Sequence, residues 1–124
     1  MTEQEIINMR PGLDMDLALA EKLMKWVVDR EESQRCGVAV VRWEEDGKEV
    51  WRWFSPSQKK DDAWEVLEKF PYSKMERVEF FEGRVTVNVT VWPDIDEQTS
   101  YTGLANTFPH AVCLAALLAL RGGE

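Results

Sequence analysis

Residues 111 to 120 read AVCLAALLAL, ten positions without one charged side chain. Thr107 ahead of the run is suited to cap a helix, Pro109 fits a first turn where its missing donor costs nothing, and Gly122-Gly123 would stop it. Such a helix is apolar around its whole circumference, and at about 15 Å it reaches only half the depth of a bilayer core. Burial inside the protein is the remaining solution, so the rest of the chain has to wrap this helix. No longer apolar run occurs, and MTEQEIINMR at the N-terminus lacks the basic-then-apolar order of a secretion signal, so the expected location is cytoplasmic.

A chain of 124 residues suits one domain, 1–124, and 44% hydrophobic with 31% charged residues is globular composition rather than that of a disordered segment. The net charge of −8 argues against nucleic acid and anionic membranes, since both demand a basic footprint. Cys36 lies in a polar stretch and Cys113 inside the apolar run, which argues against a bridge between them and reads Cys113 as a buried small hydrophobe.

Thr2 and Glu5 have the form of a capping box for a short helix running to about Met9, broken by Arg10-Pro11-Gly12. In LDMDLALAEKLMKWVVDR, Leu13, Leu17, Ala20, Met24 and Val27 recur at helical spacing, which predicts an amphipathic helix of about four turns with a Glu21–Lys25 pair. REESQRCG reads as a polar loop. Two β-rich runs then flank Asp46-Gly47, the chemistry of a two-residue type I′ turn, which fixes a register: Trp43 opposite Val50, Arg42 opposite Trp51, Val40 opposite Trp53, Ala39 opposite Phe54. One face then carries Ala39, Val41, Trp43, Val50, Arg52 and Phe54, and the other Val40, Arg42, Glu44, Glu49, Trp51 and Trp53.

Ser55-Pro56-Ser57 ends the strand, and QKKDDAWEVLEKF predicts a helix closed by Pro71. A second hairpin is expected about Glu82-Gly83, with Val85, Val87, Val89, Val91, Val78 and Phe80 on its dry face, followed by a polar connection to the last helix. The order α-α-ββ-α-ββ-α predicts an α+β fold: a four-stranded, mainly antiparallel sheet made from two β-hairpins, with helices packed on it.

Motifs of chemistry are sparse. One histidine and two distant cysteines cannot build a zinc site, and the D-x-D at Asp94 and Asp96 has Thr99 and Ala105 where a calcium loop needs glycine and glutamate. His110 stands without a motif, no phosphate-binding glycine loop occurs, and the adjacent acids Asp61-Asp62 and Glu44-Glu45 read as solvated charge. No catalytic residue, metal or cofactor is expected. The feature above background is the VRWEEDGKEVWRWF hairpin. Arg42, Trp51 and Trp53 could form a surface that holds a nucleotide-like ligand between guanidinium and indole, or the face could be packed under a helix. Packing is the better-supported reading of the two, although buried arginines would then require partners.

LDMDLALAEKLMKW at 13 to 26, WFSPSQKKDDAWEVLEKF at 53 to 70 and TFPHAVCLAALLAL at 107 to 120 resemble the phage ABA sandwich domain family. Where similar proteins have small or apolar residues after Ser57, this chain has KKDD, which moves the expected helix start toward Asp61. The resemblance implies a phage or prophage origin and helices on both faces of the sheet, an α/β/α sandwich, and brings no catalytic residues or cofactor. Two functions follow as expectations. The first is a non-enzymatic accessory protein in the host cell cytoplasm that binds a host protein or a small nucleotide-like signalling molecule, as in counter-defence. The alternative is a structural or assembly protein of the particle. In the small-molecule version Arg42, Trp51 and Trp53 would contact the ligand, with the interface of a homo-oligomer as one place for the site.

Overall fold

A computed structural model describes residues 1–79, 85–94 and 98–122. Within them the chain runs α1 (Glu3–Ile7), α2 (Leu13–Lys22), β1 (Val27–Val28), α3 (Arg30–Cys36), β2 (Ala39–Glu45), β3 (Lys48–Phe54), α4 (Lys60–Leu67), β4 (Tyr72–Glu79), β5 (Val85–Trp92), β6 (Tyr101–Ala105) and α5 (Phe108–Gly122). The α+β class is as expected, but the four-stranded sheet is not. There are two three-stranded antiparallel sheets, ordered β1-β2-β3 and β4-β5-β6.

The differences have local causes. The second helix stops at Lys22, where Lys25 takes a left-handed conformation (φ 62°) and the amides of Met24 and Trp26 turn back onto the carbonyls of Leu19 and Ala20. The β-branched pair Val27-Val28 is thereby freed to add a strand to β2. Glu21 consequently pairs with Arg30 rather than Lys25. The expected polar loop is α3: the Asp29 carboxylate accepts from the Glu32 amide at 3.0 Å, and Gly37 closes the helix at φ 73°. The third strand of the second sheet comes from the expected polar connection, where Gly103 pairs with Val89.

The first hairpin follows the expected register throughout, with positive φ at both Asp46 (52°) and Gly47 (76°) as a type I′ turn requires. The second slips by one. Glu79 pairs with Val85, so Met75 and Arg77, not Val78, share the face of Val87 and Val89. The turn expected at Glu82-Gly83, with Phe80, lies outside the described residues.

Helix α5 is buried from Ala111 through Leu117, as its uncharged sequence demands. It rests on β5 and β6 and is covered by α4, α2 and α1, while α2 also meets β1 and β2. The helical layer therefore stands between the two sheets. Helices lie on both faces of the first sheet, since α3 sits on its outer side, where Val40 is buried. The second sheet buries its valine face on α5, leaving Leu104 exposed on the opposite face.

Ser55-Pro56-Ser57, which reads as a strand end, is a buried connector held by two carboxylates. Asp62 accepts the Ser55 amide at 2.8 Å, and Asp16 accepts the Ser57 amide at 2.9 Å. Asp62 is thus not the solvated acid that its DD context suggests. Its other oxygen binds Arg52 at 2.8 Å, and Glu65 binds the same guanidinium at 2.7 and 3.0 Å. That guanidinium also stands over the rings of Trp26 (5.3 Å) and Phe54 (5.6 Å), a stacked arginine on the inner face rather than at Arg42. Asp62→Ala leaves the Ser55 amide unpaired while Arg52 keeps Glu65, so the expected loss is about 2 kcal/mol in urea unfolding. A loss below half of that would mean water replaces the carboxylate.

Candidate functional site

The strand pair brings Arg42, Trp51 and Trp53 together on the outer face of the first sheet, as the hairpin register requires. Among the described residues, no helix seals them. Trp51 and Trp53 are 58% and 53% exposed, with ring centroids 6.2 Å apart and planes tilted by 54°. The packed reading of this face is therefore corrected: α3 covers Val40 and stops short of the indoles. Together with Glu32, Cys36 and Val40, the three residues line a depression of about 350 Å³. Trp43, on the inner face beyond buried Ala39, Val41 and Phe54, is itself 36% exposed where the hairpin leaves the core.

The electrostatics of the patch are acidic. One terminal nitrogen of Arg42 binds Glu49 at 2.6 Å and the other binds Asp29 at 2.7 Å. Only its Nε is unpaired among the described residues. The Asp29 carboxyl is lowered below its ordinary value, first by the Glu32 amide and then by Arg42, and Glu32 is lowered by its hydrogen bond to Arg35. Both acids therefore stay charged across the neutral range. The Cys36 thiol, which donates to Glu32 at 3.5 Å, is raised by desolvation and by that carboxylate, which suppresses the thiolate a nucleophile would need.

His110 is occupied elsewhere, its Nε2 lying 2.9 Å from the carbonyl of Met9. Thr107 caps α5 as its sequence suggests, through the His110 amide at 3.4 Å. Cys113 is buried and its thiol is pushed well above the ordinary value by desolvation. Among the described residues, no cluster of three His, Cys, Asp or Glu side chains is placed to hold a metal ion.

Helix α2, the SPS connector with α4, and the buried apolar α5 are the segments whose sequence resembles a known family, and they are packing elements of one fold. The model of the Phage ABA sandwich domain matches residues 17–117. The chain belongs to that family. No curated protein and no solved structure matches it. All of Arg42, Trp51 and Trp53 fall inside the matched segment of this phage ABA sandwich domain, as do α3 and the acids around the patch. None of its helices, among the described residues, is long and apolar enough to cross a membrane.

Sequence reasoning found the indoles and missed their frame. Asp29 caps α3 and Glu32 lies in its first turn, where the polar composition suggests a loop; the helix signal is an Asp followed three residues later by Glu, closed by a glycine at 37.

Proposed function

We propose that this phage ABA sandwich domain protein is a non-enzymatic accessory protein that docks on a basic host protein, with Trp51 and Trp53 as the anchors. The observation that carries this reading is two adjacent tryptophans, each more than half exposed, framed by Glu32, Glu49 and Asp29. Exposed indoles beside each other are costly in water and are the side chains that dominate protein interfaces when buried. The acidic frame favours a cationic partner and opposes a nucleotide phosphate, because the two terminal nitrogens of Arg42 already hold carboxylates. An accessory role such as counter-defence is the setting in which a small acidic protein would occupy a basic surface of the host.

The test is capture of host-cell proteins at low and high salt by the wild type and by a Trp51→Ala/Trp53→Ala double variant, whose lost side chains are exposed. A partner held by the wild type is expected to bind the double variant about tenfold or more weakly. Its hold on the wild type is expected to weaken as salt rises. Capture that is indifferent to both tryptophans, or to salt, would sink the docking mode.

A further inference from the structure

The one-residue slip of the second hairpin has a chemical result: it places Met75 and Arg77 on the inner face of the second sheet, in register with Val89 and Val87. Helix α5 packs on β5 and β6, so this margin of the inner face stays uncovered; Met75 is 52% exposed. Between it and α4 lies a cavity of about 490 Å³. That volume is within the roughly 300–1,000 Å³ typical of small-molecule sites.

Its walls are Met75 and Val87 on one side and Trp64 with Phe108 on the other, the two rings 5.2 Å apart and tilted by 48°. In a chain carrying 23 acids and 15 bases, the ten residues lining this cavity include Lys60 and Arg77 and no carboxylate. Lys60 has no ion pair among the described residues, and Arg77 pairs with Glu79 at 4.0 Å, both of those side chains being largely exposed. Lys60 and Trp64 are four residues apart on α4, so their side chains rise from one helix face.

We propose that this cavity is a binding site for a small planar aromatic anion, its ring held by Trp64, Phe108 and Met75 and its acid group by Lys60 and Arg77. The opening supplies what such a ligand needs: a dry, ring-lined face for the ring and, at its exposed rim, Lys60 without an ion pair among the described residues and Arg77 held by Glu79 at 4.0 Å, which an acid group can displace. The site is separate from the Trp51 and Trp53 patch in both location and sign of charge. It does not depend on the docking mode proposed above.

Two fluorescent probes distinguish charge from apolar contact: 8-anilinonaphthalene-1-sulfonate, an aromatic anion, and N-phenyl-1-naphthylamine, the same rings without the sulfonate. The anion is expected to bind the folded protein at one saturable site, about tenfold or more tighter than the neutral probe. Lys60→Glu/Arg77→Glu should remove that advantage with the circular dichroism and melting temperature unchanged, and Trp64→Ala should weaken both probes. Trp51→Ala/Trp53→Ala should leave binding as it was. Absence of anion binding, equal affinity for the two probes, insensitivity to the charge reversals, or loss of binding in the Trp51 and Trp53 variant would each overturn the site.

Discussion

Replacing Gly103 by alanine is expected to cost about 3 kcal/mol or more of folding stability and roughly 10 °C of melting temperature. Gly103 lies in β6, opposite Val89, where the strand passes against α5. A methyl group there would sit 2.6 Å from the Ala115 amide nitrogen and 2.9 Å from the Leu114 Cβ, and would run into the Ala111 carbonyl. Two of these three atoms are helix backbone, which cannot rotate away as a side chain can. Relief would require α5 to move off the second sheet, and α1, α2 and α4 all pack against α5. Gly122→Ala is the matched comparison: the added methyl meets only the end of the Tyr101 side chain, which can shift, so the expected loss is below about 1 kcal/mol. Thermal and urea unfolding of the two variants reads the difference directly. Equal losses would show that the closeness of β6 to α5 is not what holds the second sheet.

The same glycine shows why part of the fold was legible in the sequence and part was not. The uncharged α5 and the Asp46-Gly47 hairpin announce themselves, because their stability comes from local pattern: unbroken apolarity in one, turn chemistry and alternation in the other. YTGLA at 101 to 105 has neither. It is a strand because β5 offers it a hydrogen-bonding edge and α5 leaves room for a glycine, both long-range facts. Val27-Val28 is similar, since its apolar spacing continues the helix before it and the positive φ of Lys25 breaks the pattern without any glycine to mark it. Once these two short strands exist, one sheet of four becomes two sheets of three. At the candidate site the register placed Arg42, Trp51 and Trp53 together, whereas the openness of the face depended on where α3 ends. Alternation alone could not reveal the cavity beside Arg77, because a slip of one residue exchanges every side chain between faces.

Asp16 should make the protein less stable as the pH rises from about 4 to about 6. It is 3% exposed, and burial pushes its carboxyl from 3.8 up to about 6, against the opposing pull of the Ser57 amide that it accepts. In the unfolded chain the proton leaves near 3.8, and in the folded protein it stays until about 6. Across that window the folded state binds more protons, so stability falls with rising pH and levels off above it. A shift of about two units corresponds to about 3 kcal/mol. Asp29 and Glu32 act in the opposite sense, since their lowered values add stability as the pH rises through the ordinary carboxylate range, and raw stability curves will mix the contributions. The difference between the wild type and Asp16→Asn isolates the one carboxyl. Asparagine keeps an oxygen for the Ser57 amide and carries no charge, so the variant is expected to match the wild type near pH 4 and to exceed it at pH 7.5 by about 1–3 kcal/mol, the lower figure if its extra amide hydrogen finds no acceptor. Urea unfolding at the two pH values gives the sign. A variant less stable than the wild type at pH 7.5 would mean that the ionised carboxylate earns its place, gripping the SPS connector more strongly than burial penalises it.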